Sequence, residues 1–450
     1  MHADLYPYQR KGAGFLAPLP AAVLADDMGV GKTCQAVAAC DEAGVRFVLV
    51  LCPGIARVNW KREFERWQTV DRRVAVVMGS ADLQNVAVWC ADVLIVSYTL
   101  LAQEKVRKWL NKLRYDALIC DEAHALKERK STRSKAVYGS KFDRKVGLAS
   151  RSDRVWLLTG TPTPNHPGEW WTHIKALWPD LLENVGRRYD DFTFRFCATD
   201  PTTGRIVGAR RAKDLTSMLS PYVLRRMQAD VQPDLPPLRW AHVVVSPESV
   251  PPMPPELVEA AAVLEAALAA ASGDEEAATV LEAEKMHLAT LRRWTGVAKS
   301  AAVAELLKAD LASGLDCVIV FAIHTAVMEG IAAALGPGGG VLSGSTPHQT
   351  RQRLIDDFQA GKLRYLVCQI TVASTALTLT RARQVVFAES SWVPGDMVQA
   401  AKRAHRIGQA SSVLAKVISL AGSIDEVVNA VLLRKSQMIE QISLATPIHS

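Results

Sequence analysis

No apolar run in this sequence reaches the roughly 18–20 residues that a membrane-spanning helix needs. Residues 1–8 have neither the basic start nor the apolar core of a secretory signal. The eight cysteines are scattered, with no Cys-x-x-Cys pair and no histidine at zinc-ligand spacing, so buried, reduced thiols are expected and no zinc site. No internal repeat of solenoid period is present. These absences lead us to expect a soluble chain with no membrane partner; a monomer is expected as well. Its expected place is the cytoplasm of a bacterial or phage-infected cell, or the nucleus if the cell is eukaryotic.

The composition is that of a globular protein, with 49% hydrophobic and 22% charged residues, and 450 residues suit two or three domains. The net charge of +7 is unevenly spread. Residues 127–154 hold ten Lys/Arg against three Asp/Glu, and 187–226 hold nine against four. Positive charge concentrated in this way suits a polyanion such as nucleic acid.

Short apolar runs at 47–51, 93–96, 117–120 and 155–158 alternate with helix-like stretches, and each ends in a polar or Gly/Pro turn. That pattern reads as buried strands of a parallel sheet flanked by helices, an α/β fold. A second set at 317–321, 365–368, 385–387 and 415–418 reads as a second α/β domain. Between them, 233–237 and 247–255 are proline-rich connectors, 255–271 and 274–294 are Ala/Leu/Glu-rich helices, and 336–340 is a glycine-rich turn. The expected layout is a first lobe over 1–238 with a basic, helical insertion at 170–236. A connector with a helical insertion follows over 239–300, and a second lobe over 301–450.

Asp26-Asp27-Met28-Gly29-Val30-Gly31-Lys32-Thr33 lies between the apolar segment 21–25 and a helical stretch beginning at Cys34. Strand, glycine loop, Lys-Thr and helix form the context of a phosphate-binding loop. The glycines let backbone N–H groups curl around phosphate oxygens, and the helix N-terminus adds a favourable dipole. Lys32 would reach the β- and γ-phosphates of ATP and Thr33 would ligate Mg²⁺. Asp26 stands where the strict pattern has its first glycine.

Asp121-Glu122-Ala123-His124 follows directly on an expected strand. Asp121 is the candidate metal-holding carboxylate and Glu122 the candidate general base. Thr159-Gly160-Thr161 follows the next strand, where small hydroxyl residues can link the catalytic acids to a neighbouring domain. In Gln399-Ala400-Ala401-Lys402-Arg403-Ala404-His405-Arg406-Ile407-Gly408-Gln409, Arg403 and Arg406 share a face if the segment is helical. Either guanidinium would stabilise charge on a transferring phosphoryl group. His405 is read as a hydrogen-bonding residue, not as a metal ligand.

Taken in order, these segments resemble the helicase motifs of superfamily 2, most closely those of the Swi/Snf-type ATPases. Leu5-Tyr6-Pro7-Tyr8-Gln9-Arg10-Lys11-Gly12 resembles that family's adenine-reading segment, with Gln9 as the reader. The family's phosphate loop carries Asp at its first position, as Asp26 does here. By the resemblance Asp27, Met28, Gly29, Val30, Gly31, Lys32, Thr33 and Cys34 form the nucleotide loop. Asn59-Trp60 and Val96-Ser97-Tyr98 resemble motifs Ia and Ib, Val320-Phe321-Ala322 resembles motif IV, and 399–409 resembles motif VI. Residues 373–380 stand where the family has a glycine-rich motif V, and they contain no glycine. Segments around 189–236 and 390–409 look most like the HARP-like annealing-helicase branch.

The resemblance implies two RecA-like lobes with ATP in the cleft between them and movement on double-stranded or forked DNA. It also implies that Thr159, Gly160, Thr161 and Gln399 couple hydrolysis to motion. Ser97, Thr346 and Thr375, with the basic Lys127, Lys130, Arg133 and Lys135, are the expected DNA contacts. The alternatives are a helicase that separates strands on single-stranded DNA or RNA, the motor subunit of a defence or restriction complex, and a catalytically silent DNA-binding scaffold.

Overall fold

The computed structural model describes residues 4–429 apart from 143–145, 161, 163–165, 201–205, 247–249, 251, 271–284, 374–378, 392–393, 424 and 427–428. The chain divides between Pro233 and Asp234 into two compact units.

In the first unit the strands are β1 (Ala21–Leu24), β2 (Val48–Cys52), β3 (Val74–Val76), β4 (Val93–Ser97), β5 (Tyr115–Asp121), β6 (Ser152–Leu158), β7 (Cys197–Thr199), β8 (Ile206–Ala209) and β9 (Val223–Leu224). β7 and β8 pair antiparallel as a separate hairpin. The others form one sheet in the order β3-β4-β2-β5-β6-β1-β9, with every pairing parallel. All residues of β1, β2 and β4 are buried. Helices cover both faces of such a sheet, which is why these strands read as unbroken apolar runs. Helix Lys32–Glu42 buries Cys34 through Cys40. Helix Arg57–Trp67 buries only Trp60 and Phe64, four residues apart on one face.

β5, β6 and β1 are consecutive neighbours. The loops that follow them therefore emerge side by side at the carboxyl edge of the sheet, where open α/β sheets bind their ligands.

The second unit has β10 (Leu238–Val245), β11 (Val318–Ala322), β12 (Gly339–Leu342), β13 (Tyr365–Gln369), β14 (Gln384–Phe387) and β15 (Val413–Leu420), again all parallel, in the order β10-β15-β14-β11-β13-β12. Two stretches read as connector and turn are strands. The segment beginning at 239 is an edge strand in register with β15 from Leu238↔Val413 to Val245↔Leu420. Prolines are tolerated at a strand's end on a sheet edge, so those around it did not prevent pairing. The glycine-rich turn at 336–340 already starts β12 at Gly339.

Helix Pro255–Ala270 lies where expected, whereas helix Lys285–Ala312 runs on well past Trp294. It is pinned by Lys299, whose buried ammonium donates to the Ile418 carbonyl at 2.6 Å and to Asp425 at 2.5 Å. Seven of the eight cysteines are buried as free thiols, and Cys90 is exposed, contrary to the expectation of burial. No described helix is long and apolar enough to cross a membrane.

Candidate nucleotide site

The phosphate loop leaves β1 at Leu24 and ends in helix Lys32–Glu42. Gly29 and Gly31 have φ of 81° and 86°. A Cβ on Gly31 would add left-handed strain and would also lie 2.5 Å from Gln9 Nε2. The Lys32 ammonium donates to the carbonyls of Asp26 at 2.8 Å and Asp27 at 3.1 Å. Burial lowers its pKa, while the carboxylates of Glu122, Asp26, Asp27 and Asp121 pull it back up. Thr33 is half-buried on the first turn of the helix. Cys34 is buried with its thiol on the Gly31 carbonyl. Asp27 accepts the Met28 N–H at 2.7 Å, and Val30 is fully buried.

Gln9, the expected adenine reader, is 3% exposed and packed against this loop. Its amide donates to the Val30 carbonyl at 3.1 Å and accepts the Tyr6 N–H at 3.1 Å. Tyr8 donates to the same Val30 carbonyl at 3.2 Å, and burial pushes its phenol up to about 12.

Asp26 has an internal role. Its fully buried carboxylate is gripped by Arg226, through the backbone N–H at 3.1 Å, through Nε at 3.0 Å and through Nη2 at 2.5 Å. Gln35 adds a donor at 3.2 Å. The odd residue of the loop thus ties β1 to the strand that closes the insertion, β9.

Asp121 ends β5. Burial, reinforced by the charge of Glu122, pushes its carboxyl up to about 6. Trp60 Nε1 donates to Oδ2 at 2.8 Å, and the Tyr98 hydroxyl donates to the Asp121 carbonyl at 2.8 Å. Glu122 adopts φ 48°, ψ 51°, the left-handed region, where it bends the chain off the strand. His124 lies 3.4 Å from the Glu122 carboxylate and 3.5 Å from the Thr159 hydroxyl. A Cβ on Gly160 would meet Met28 Cγ at 2.9 Å and Lys32 Nζ at 3.6 Å. The loops after β1, β5 and β6 therefore converge on one place.

That place suits a divalent cation held with ATP. It offers the Asp121 carboxylate, which burial and Glu122 hold above the usual range despite the Trp60 and Glu122 N–H donors, and a hydroxyl at a helix start, matching the few protein ligands that Mg²⁺ takes. Among the described residues no group of three or more His, Cys, Asp or Glu could hold a metal unaided.

Other expected residues lie elsewhere. Ser97 is 1% exposed with its hydroxyl on Thr99 at 2.8 Å, so it is not on the surface where a DNA contact was expected. Lys127 is drawn inward by buried Glu169 at 2.8 Å. Lys130, Arg133 and Lys135 are exposed. In the second unit, Thr346 accepts the Ser343 N–H at 2.9 Å within the turn before helix His348–Gln359.

Gln399 is on helix Pro394–Ala401, which stops before the arginines, so Arg403 and Arg406 lie in turns and do not share a helical face. Two carbonyls that a continuing helix would use, those of Arg403 and Ala404, have other partners. The Arg403 carbonyl accepts Leu379 N–H, His405 Nε2 donates to the Pro236 carbonyl at 2.6 Å, and Gln409 Nε2 bonds the carbonyls of Thr380, Ala382 and Ala404. Thr161, Thr375 and most of 373–380 lie outside the described residues. The sequence reading missed Trp60 and Arg226. Both pair with residues far away in the chain, and only the family's Asn-Trp string hinted at Trp60.

Comparisons with known proteins place the chain in a family. The SNF2-related domain matches residues 8–250 and the helicase conserved C-terminal domain matches 298–408. The chain is 33% identical over 98% of its length to the SWI/SNF-related matrix-associated actin-dependent regulator of chromatin subfamily A-like protein 1 of Xenopus tropicalis, covering 45% of that protein. It is 30% identical over 98% of its length to the Caenorhabditis elegans homolog, covering 62%. It is 30% identical over 97% to the DNA annealing helicase and endonuclease ZRANB3 of Mus musculus, covering 40%. The chain thus spans less than two thirds of these relatives. Among solved structures, the Sulfolobus solfataricus SWI2/SNF2 ATPase core in complex with dsDNA matches with a TM-score of 0.46 at 22% identity, over 98% of this chain and 93% of that one.

Proposed function

The chain belongs to the SNF2-related family of Swi/Snf-type ATPases, and on that footing we propose that it is an ATP-driven motor that moves along double-stranded DNA. The observation that carries the reading is the convergence of Lys32 with the Asp121–Glu122 pair at the carboxyl edge of one sheet. In this reading the N–H groups of Gly29, Gly31, Lys32 and Thr33 cradle the phosphates of ATP, and Lys32 moves from its loop carbonyls to the β- and γ-phosphates. Gln9 holds the loop from behind and borders the adenine. Thr33 and Asp121 would hold Mg²⁺, which would supply charge neutralisation at the phosphates. Trp60 fixes the Asp121 carboxylate. Glu122 orients the attacking water and takes its proton, with His124 linking it to Thr159.

We assign to Arg403 and Arg406 the stabilisation of charge on the transferring phosphoryl group, and to Thr159, Gly160, Thr161 and Gln399 the coupling of hydrolysis to motion. Lys130, Arg133 and Lys135 supply phosphate contacts, which bring little sequence preference and a steep salt dependence. Forked DNA and strand annealing are the finer proposal, since a relative is named an annealing helicase.

The test is ATP hydrolysis by the wild type and Lys32→Ala with no nucleic acid, duplex DNA, forked DNA, single-stranded DNA and RNA. Duplex or forked DNA should stimulate the wild type, and Lys32→Ala should lose about a hundredfold or more. Stimulation by RNA alone, or an active Lys32→Ala, would overturn the reading.

A further inference from the structure

Helix Tyr189–Phe196 sends two phenylalanines inward and leaves one out. Phe192 and Phe196 are buried, four residues apart, with ring centroids 4.9 Å from each other. Phe194, midway between them, points the other way and is 78% exposed. A lone exposed apolar side chain is ordinary, but the surroundings of this one are not. Arg210, just past β8, holds its guanidinium 5.8 Å from the Phe194 ring centroid and donates to the Phe194 carbonyl at 3.4 Å. Arg211 follows at φ 45°, a strained backbone for a non-glycine residue, with its side chain exposed. Phe194, Arg195, Arg210 and Arg211 line a hollow of about 440 Å³ together with Val185, Asp190 and Asp191. That is within the roughly 300–1,000 Å³ of small-molecule sites.

The chemistry selects among occupants. An aromatic ring beside arginines is how proteins hold unpaired bases: the base stacks on the ring and cations take the backbone. Residues 187–214 carry seven basic and four acidic side chains, a balance that favours a polyanion. Asp190 and Asp191 disfavour a phosphate inside the hollow, but they can accept from a ring or amino N–H of a base, the N3–H of thymine included. Asp191 already accepts the Arg188 N–H at 3.2 Å. The flat faces of bases in a duplex are stacked on one another and cannot reach such a ring.

The first residue of the same helix packs against the segment that follows β5. The Tyr189 ring carries the Arg129 guanidinium 4.2 Å from its centroid, and Thr172 donates to the Lys127 carbonyl at 2.8 Å. Both partners belong to the segment that follows Asp121 and Glu122.

We propose that the hollow at Phe194 binds an unpaired base of single-stranded DNA, such as the displaced strand of a fork. This site lies on the insertion and is separate from the duplex track. The inference rests on the reading that the protein works on DNA, and the test separates the two. Fluorescence anisotropy is measured on the full chain with an oligothymidylate and with a blunt duplex, for the wild type, Phe194→Ala and Phe194→Trp. Phe194→Ala should weaken oligothymidylate binding by roughly 5- to 100-fold, the worth of one stacked base. Phe194→Trp should restore it, and duplex affinity should stay within about twofold. Photo-crosslinking of a 5-iodouracil oligonucleotide should label the peptide that contains Phe194. Equal effects of Phe194→Ala on both DNAs, or none on either, overturn the proposal, and the second result would fit a protein partner at this surface. A wild type that binds duplex but not oligothymidylate also overturns it and leaves the motor reading standing. Binding to no nucleic acid sinks both.

Discussion

Residues 127–154 and 187–226 are both basic, yet they use their charge differently. In the first, Lys130, Arg133 and Lys135 stand exposed on and beside helix Thr132–Tyr138. That helix is fixed by Ser131 as its N-cap and by the Ser134 hydroxyl on the Leu126 carbonyl at 2.9 Å. The second stretch ends on two arginines turned inward. Burial lowers the Arg225 pKa against the pull of Asp27, and Arg226 closes on the buried Asp26 carboxylate beneath the phosphate loop. A local count of charges measures how many there are and says nothing about which way they face. An arginine that meets an internal carboxylate belongs to the core.

The largest effect should come from Arg226→Ala. It leaves Asp26 buried and unpaired, which costs about 3–5 kcal/mol, read by thermal or denaturant unfolding. Arg226→Lys should recover little, because an ammonium cannot reproduce the multi-point grip. A variant as stable as the wild type would erase the contrast between the two stretches.

Next is charge reversal of Lys130, Arg133 and Lys135 to glutamate. Stability should change by only about 0.5 kcal/mol per site. Duplex affinity should fall about tenfold or more, with a shallower salt dependence of binding. Unchanged DNA-stimulated ATPase would remove this surface from the DNA track.

The smallest effect tests an intermediate case. Arg46 and Arg73 are largely exposed, but they converge on Asp92, which is 6% exposed. Burial raises the Asp92 carboxyl, but the Arg73 N–H and the Arg73 and Arg46 guanidiniums outweigh it and hold it at about 2. A carboxyl lowered in this way stabilises the fold fully above its unfolded value near ~4, and that stability is lost as pH falls through about 2. Asp92→Asn should be slightly less stable at neutral pH and should lose less on acidification, as followed by circular dichroism.

The long buried strands were legible because both their faces are covered and their runs are unbroken. The short or irregular ones were not. β3 and β9 have three and two residues, too few to show a period. β12 begins with glycines, and β10 sits between prolines with a mixed burial pattern. The glycine loop and the acid pair were legible as motifs because their chemistry is local. The partners that set them were not: Trp60 is 61 residues from Asp121 and Arg226 is 200 from Asp26. The segment 402–408 has helix-forming residues, but the Leu379 N–H and the Gln409 side chain claim the Arg403 and Ala404 carbonyls that a helix would use.

Glu122 shows what a sequence chosen for foldability alone would change. Its left-handed backbone suits glycine best and asparagine next, and a side chain there is disfavoured by roughly 1–2 kcal/mol. Glycine would relax that turn while deleting the acid. A sequence optimiser given only this backbone would therefore score the wild-type residue as an error at the very position where the proposed chemistry needs a carboxylate. Such disagreement between local fit and residue identity offers a way to find reactive positions in relatives of this chain that lack other clues.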